Sequence, residues 1–383
     1  MDVAPFAASE GASGGHPADP MTVVGVRGQI ISSHLPGGGR IGMGLTLCDV
    51  QGGPRRVGRA YGEALGDDIA AALDYYDALA AATGVDLKDT AAKAARFVDA
   101  ARLDLPHVVD ELEGLADGAD ISLDAAVVLN CFEEVWPGSE GAPESCTTFV
   151  SGHFLLHAEQ WYAGHSQIAV IRARPHGGPS FISPTCAGFL PGVGMSSSGF
   201  AQGIDSLAAD DDCVGIPRVM VARASLGAAG LDGAITAACM PGRAGGYAHV
   251  LATVEHKVVV ETSASSSAIL DGVAAHTNHY LSRTAAAARP PGAGSTRRLA
   301  RAQELLMERP PSTLEECALL LADHEGTPQS ICLHEEGIDG SGTVFGMACD
   351  LETGRMMVSD GPPCAGRWEQ VAIPSLPQAA YVV

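Results

Sequence analysis

Gly138-Ser-Glu-Gly-Ala-Pro-Glu-Ser145-Cys146-Thr147-Thr148-Phe149 joins a polar linker carrying Gly and Pro to a β-forming segment that begins with cysteine. A thiol at a linker-to-strand junction is suggestive because of what cleavage would make of it. If the Ser145–Cys146 bond is cut, Cys146 becomes a chain end bearing both a thiol and an α-amine. Such an amine titrates near about 7.7–8.0, so one residue can supply nucleophile and base. The competing reading is that Cys146 is one of ten cysteines that are mostly buried free thiols, with no C-x-x-C pair among them. Spacing alone does not separate the two.

Texture changes on either side of this junction. Upstream, Ala60, Ala64, Leu65, Ile69, Ala72, Leu73 and Tyr76 recur at helical spacing and predict a helix from Val57 to about Ala82, with Gly84 as its stop. Helices are also predicted over Leu87–Ala101 and Pro106–Ala119, and a fourth is capped by Ser122 and runs toward Trp136. Residues 1–20 lack periodicity and are expected to be a disordered tail, followed by a strand over Thr22–Gln29. Downstream, short strands are predicted over Thr147–Val150, Gln167–Arg172, Ser180–Ser183, Phe200–Ile204, His249–Val254, Lys257–Glu261 and Thr343–Asp350. Helices over Pro217–Ala229, Ala234–Cys239, Thr296–Met307 and Thr313–Asp323 interrupt them. Helices first, then strands with interspersed helices, argue an α+β layered fold over an alternating parallel sheet.

Composition narrows the function. Forty-five acidic against 23 basic side chains give a formal charge of −22, which repels nucleic acid and anionic membranes. Arg297, Arg298 and Arg301 form a local basic stretch, read either as a solvated helix face or as a seat for an anionic substrate. The sequence has no apolar run long enough to span a bilayer and no leader-like N-terminus, so the expected location is cytoplasmic.

Cys146-Thr147-Thr148 resembles the opening of the mature large subunit in the acyl-coenzyme A:6-aminopenicillanic acid acyltransferase family of cysteine-type N-terminal-nucleophile hydrolases. The resemblance extends upstream to Glu111-Leu-Glu-Gly-Leu-Ala and Leu129-Asn130-Cys-Phe-Glu-Glu134. Downstream it takes in Gly192-Val-Gly-Met-Ser-Ser-Ser-Gly199, Gly215-Ile-Pro217, His276-Thr-Asn278-His279, Ser295-x-x-Arg298 and Ser330-Ile-Cys332, in the family's order. None of these motifs is specific alone, and their order and spacing from about residue 22 to 375 carry the resemblance.

The resemblance implies a four-layer αββα sandwich. It implies a mostly helical propeptide over residues 21–145, retained as a small subunit, and a catalytic large subunit over 146–383 that stays associated with it. It further implies self-cleavage between Ser145 and Cys146, then an acyl-enzyme on Cys146 formed from a small amide or thioester. Asn278 is then an oxyanion donor, while strand alternation puts Thr148 on the face of Cys146, where its hydroxyl is expected to bond the thiol or new amine. Thr147, Glu159, Gln160, His276, Ser295 and Arg298 are supporting or substrate-binding residues. Expected partners are a small-molecule amide or acyl donor, acyl-coenzyme A among them, and an amine or water acceptor in a secondary-metabolic setting. No cofactor is implied, and a homo-oligomer is compatible.

Alternatives remain at several positions. Thr148 can be a plain strand residue, Ser295 a helix N-cap, and His276 and His279 core histidines; a metal between the two histidines is disfavoured because no carboxylate is near in sequence. The family's Asn and Asp in the second strand are replaced by Ala158 and Gln160, and Glu159 faces the site only if that strand slips by one residue. Ser145 also stands where Gly is common, and Asp205-Ser-Leu207 replaces an Asn-x-Leu pattern. Two rival functions follow: a catalytically silent descendant that binds a ligand or partner, and an unprocessed Cys–His hydrolase using His157, His165 or His276 as base.

Overall fold

The computed structural model describes residues 39–41, 45–136, 146–282, 288–334 and 337–374; Ser145, the expected tail over 1–20 and the expected strand over 22–29 lie outside them. The chain opens with β1 (Gly39–Ile41) and β2 (Leu45–Gly52). Five helices follow: α1 (Pro54–Thr83), α2 (Leu87–Asp104), α3 (Pro106–Ala119), α4 (Leu123–Asn130) and α5 (Phe132–Val135). Then come β3 (Thr147–Ser151), β4 (Phe154–Tyr162), β5 (Ile168–Pro175), β6 (Phe181–Cys186), β7 (Gly194–Ser196) and β8 (Phe200–Leu207). After α6 (Arg218–Leu226) and α7 (Gly230–Ala238) run β9 (Gly246–Ala252), β10 (Lys257–Thr262), β11 (Ser267–Asp271) and β12 (Ala275–His276). The last part holds α8 (Ala293–Glu308), α9 (Leu314–Leu321), β13 (Ser341–Asp350), β14 (Arg355–Ser359), a 3-10 turn over Pro363–Ala365 and β15 (Trp368–Ala372).

The predicted helix signals act as expected. Gly84 closes α1 in the left-handed conformation, at φ 73°, where a side chain would be strained. Ser122 caps α4 by accepting from the Ala125 amide. The α1–α3 pair is the tightest helix contact. A Cβ at Gly58 would lie 1.8 Å from the carbonyl oxygen of Glu111, and one at Gly114 would lie 2.1 Å from that of Arg55. The small residues at this spacing let the two backbones touch.

Two sheets stack face to face. The larger runs β1-β2-β5-β6-β7-β8-β9-β10-β11 and the smaller β12-β3-β4-β13-β14-β15. Alternation sends Val150, Leu155, Trp161, Phe345 and Met347 from the smaller sheet and Val170, Ile182 and Val250 from the larger into one inner core. The opposite face of β3 and β4, with Phe149, Leu156 and Ala158, packs against Leu299 of α8 and Leu321 of α9. Helices α1 to α6 cover the outer face of the larger sheet through Tyr61, Leu112 and Met220, and α7 closes its far end over Val258 and Val260. The layers are therefore helix, sheet, sheet, helix, as expected.

The part upstream of Cys146 is less purely helical than expected. Strand β2 lies inside the larger sheet and pairs in parallel with β5, Thr46 opposite Ala169 through Gly52 opposite Pro175. A parallel partner more than a hundred residues away leaves no hairpin signature in sequence.

Candidate active site

Cys146 immediately precedes β3 and is buried. In the ladders around it, Thr147 faces Ala158 and Thr148 faces His157 on β4, while His276 of β12 faces Thr148 on the other side. Carrying both registers on sets Glu159 and Asn278 across from Cys146, one on each flank. The two-residue alternation of strands then gives Cys146, Thr148, His157, Glu159 and His276 one common face, turned toward the larger sheet. Gly203 of β8 makes room for them: a Cβ there would lie 2.5 Å from Thr148 Cγ2 and 3.2 Å from His157 Nδ1.

Glu159 therefore reaches the sulfur without any slip of β4. Its Oε1 lies 3.7 Å from Cys146 Sγ, and the Gln160 amide donates to the same sulfur at 3.5 Å. The ladder irregularity at this point falls between Thr343 and Phe345 of the neighbouring β13, which leaves the β3–β4 register intact. Ala158 and Gln160 face the other way. The Gln160 side chain donates to the carbonyl oxygens of Ile331, at 2.6 Å, and of Ser330, and holds that loop against the strand.

Behind the sulfur runs a buried chain of acids and imidazoles. Glu159 Oε2 meets His157 Nε2 at 2.9 Å, and His157 Nδ1 meets Thr148 Oγ1 at 2.8 Å. Thr148 donates to Asp205 Oδ1 at 3.1 Å, so its oxygen accepts from His157 Nδ1–H. That leaves His157 Nε2 facing the Glu159 carboxylate, a contact that needs a proton between the two. On the far side, Asp205 Oδ2 lies 3.4 Å from His276 Nδ1, and His276 Nε2 meets Glu261 Oε1 at 2.9 Å. The backbone N–H groups of Leu281 and Ser282 donate to Glu261. Burial alone would lower the His276 pKa, but Asp205 and Glu261 outweigh it and lift it to about 9. Two carboxylates thus flank a histidine that has none near it in sequence, and they hold it as a cation. Burial, then Glu159 and Asp205, push the Cys146 thiol well above the ordinary range in this uncut chain.

Arg298 connects Cys146 to Asn278. Its guanidinium donates to the Cys146 carbonyl oxygen at 2.6 Å, to Thr147 Oγ1 at 2.9 Å and to Asn278 Oδ1 at 2.9 Å. Asn278 Nδ2 donates to the Ser206 carbonyl at 3.1 Å. The carboxamide is therefore fixed at both ends, with a second N–H that can reach another acceptor. Arg298 is buried and not on a solvated helix face, while Arg301 pairs with Asp323 and Glu304. Ser295 is not an N-cap, since α8 begins at Ala293 after Gly292. Its hydroxyl instead meets Thr277 Oγ1 at 2.9 Å and His279 Nδ1 at 2.7 Å, bracing the Asn278 turn.

Sequence reasoning gave Asp205 no chemical role and passed over Glu261. The available signal was an acid inside an apolar strand, as in Val258-Val-Val-Glu261. His165 is a structural residue: it bonds Tyr76 and the Ala187 carbonyl, and burial depresses its pKa to about 4. Next to Glu159 opens a pocket of about 70 Å³, walled by Phe132, Trp161, Ile204 and Phe345 and carrying Glu133 and Tyr247.

The upstream motifs also brace the fold. Asn130 donates to Gly188 O and accepts from the Leu190 amide, Glu134 pairs with Arg218, and Glu111 makes a two-point pair with Arg223.

The αββα sandwich thus carries a buried cysteine directly before β3, flanked in register by a carboxylate and a carboxamide. The family model for acyl-coenzyme A:6-aminopenicillanic acid acyl-transferase matches residues 149–363, more than half of the chain, which therefore belongs to that family. The chain is 26% identical over 334 residues to the acyl-coenzyme A:6-aminopenicillanic-acid-acyltransferase 40 kDa form of Emericella nidulans, covering 82% of this chain and 92% of that one. Among solved structures it is similar to a single-residue variant of conjugated bile acid hydrolase from Clostridium perfringens, with 10% identity, TM-score 0.39, and coverage of 61% of this chain and 100% of that one. It is also similar to penicillin V acylase from Agrobacterium tumefaciens, with 12% identity, TM-score 0.33, and coverage of 56% and 82%. Among the described residues no helix is long and apolar enough to cross a membrane.

Proposed function

We propose that this protein is a self-activating cysteine amidohydrolase or acyltransferase acting on small amides or thioesters. The observation that carries the reading is the shared face of Cys146 and Glu159, with Arg298 joining the Cys146 carbonyl to the Asn278 carboxamide. The family match begins at residue 149, after Cys146, so the nucleophile rests on this geometry and on the Cys-Thr-Thr resemblance.

In the uncut chain Cys146 Sγ attacks the Ser145 carbonyl carbon. The thiol proton passes to Glu159 and from it to the Cys146 nitrogen, which leaves as a free amine. Water then hydrolyses the thioester, leaving the Ser145 carboxylate and an N-terminal Cys146. In turnover the same thiol attacks the substrate carbonyl, the α-amine carries the proton, and the free Asn278 N–H stabilises the oxyanion. Arg298 holds the new terminus and the Asn278 side chain in one frame. An acyl group would occupy the cavity beside Glu159, and an amine or water takes it from the sulfur. The relative's name makes acyl-coenzyme A a candidate donor and a β-lactam amine a candidate acceptor, as in secondary metabolism. The propeptide would remain as a small subunit, since β2 lies within the sheet.

A second reading keeps the chain whole. Glu159, backed by His157, can take the proton from the Cys146 sulfur without a free amine. Intact-mass and N-terminal analysis of wild type beside Cys146→Ala separates the readings. Two chains divided before Cys146, in wild type only, support self-activation. A single 39.1 kDa chain that turns over amides and is blocked by thiol alkylation supports the second. An intact, inert chain returns the protein to ligand binding.

A further inference from the structure

Outside the site described above, four side chains from separate parts of the sequence meet at the corner between α9 and the 3-10 turn at Pro363–Ala365. They are His324, Cys332, His334 and Cys364, and one ligand-type atom from each lies within 4.8 Å of all the others. His334 Nε2 is 3.2 Å from His324 Nε2, 3.5 Å from Cys332 Sγ and 3.3 Å from Cys364 Sγ. One imidazole nitrogen carries either a proton or a lone pair, so ordinary hydrogen bonding cannot satisfy three such neighbours at once. A cation at their centre does. With zinc bonds of about 2.0 Å to nitrogen and about 2.3 Å to sulfur, a tetrahedron sets N···N at about 3.3 Å and S···N at about 3.5 Å. The observed separations are close to these.

We propose that His324, Cys332, His334 and Cys364 form a structural zinc site. Two thiolates and two neutral imidazoles balance a divalent ion, and this borderline-soft set suits zinc over calcium or magnesium. Four protein ligands close the shell, which marks a structural site. The expectation of no metal was argued from His276 and His279, and His276 is already engaged by the carboxylates above.

The surroundings give the site a task. The Cys332 amide donates to the Asp323 carbonyl at 2.9 Å, and Asp323 is held by Arg301 of α8. Ile331, just before the ligand Cys332, supplies the carbonyl that receives Gln160 from the strand presenting Glu159. A metal here pins the loop behind β4 to the turn preceding β15.

The test uses the full chain, purified under reducing conditions without a metal-affinity step. Elemental mass spectrometry should find about one zinc per chain. Cys364→Ser and His324→Ala should each lose it, whereas Cys213→Ser, at an exposed cysteine outside the cluster, should keep it. Should the ligand variants fold poorly, titrating chelator-stripped wild type with Co²⁺ gives an independent reading, expected as a thiolate-to-cobalt charge-transfer band with intense tetrahedral d–d absorption. Any of three results would overturn the proposal. The first is wild type that binds neither ion. The second is a Cys332–Cys364 disulfide in mass mapping, with no metal uptake after reduction. The third is zinc that survives both ligand variants and leaves with Cys146→Ala, which would place it at Cys146, His157 and Glu159.

Discussion

Glu159 lies in register with Cys146 and 3.7 Å from its sulfur, with His157 directly behind the carboxylate. The carboxylate is the nearest proton acceptor for a thiol that burial holds protonated. Glu159→Gln keeps shape and hydrogen bonds but removes the base, so self-cleavage should slow by about 10²-fold or more. A time course of intact mass on newly synthesised protein reads this directly. A variant that matures at the wild-type rate would remove Glu159 from the first step.

Asn278→Ala should lower kcat by about 10²–10³-fold with little change in KM, because the lost donor acts on the developing oxyanion. Arg298→Ala should behave differently. It strips buried acceptors on Cys146, Thr147 and Asn278 at once, so a stability loss of about 3 kcal/mol should accompany the loss of activity. Denaturant midpoints measured beside steady-state kinetics separate the two effects.

The cationic His276 makes stability depend on pH. Its folded pKa of about 9 lies above the ordinary value of 6.5. The folded chain therefore binds the proton more tightly than the unfolded one, and the stabilisation is complete below about pH 6.5. It should be lost progressively as pH rises toward 9. The groups facing the ring are Asp205 and Glu261. His276→Gln should flatten the denaturation midpoint across pH 6.5–9, and an unchanged profile would assign the dependence elsewhere.

Gly114→Ala tests the packing of the upstream helices. The new methyl would sit 2.1 Å from the Arg55 carbonyl oxygen, against backbone that cannot rotate away. A loss of about 1–3 kcal/mol is expected, seen as a lower melting temperature. Gly66→Ala on the partner helix α1, with nothing nearer than 4.0 Å, should be close to neutral and controls for helix propensity.

Much of this was legible in the sequence, for reasons that differ by element. The helices α1 to α4 declare themselves through periodicity and punctuation by Gly84 and Ser122, both local signals. Strands β2 and β4 escape the pattern reading because the parallel partner of β2 is remote and β4 is buried on both faces, which erases alternation. Cys146, Asn278 and Arg298 emerged from resemblance, and the geometry then gave each a partner. Asp205 and Glu261 stayed hidden because their task depends on the second sheet delivering them to His276, a relation no window of sequence contains. Cys332-Leu-His334 lacked a recognisable frame because its other two ligands come from a helix end and a distant turn.

The parallel pairing of β2 with β5 has a thermodynamic corollary. Should scission before Cys146 occur, melting the mature protein would release two molecules where there had been one. Its apparent melting temperature would then rise with protein concentration, whereas that of the uncut Cys146→Ala chain would not. Maturation of this kind would convert a reversible folder into an assembly whose recovery depends on its halves meeting again.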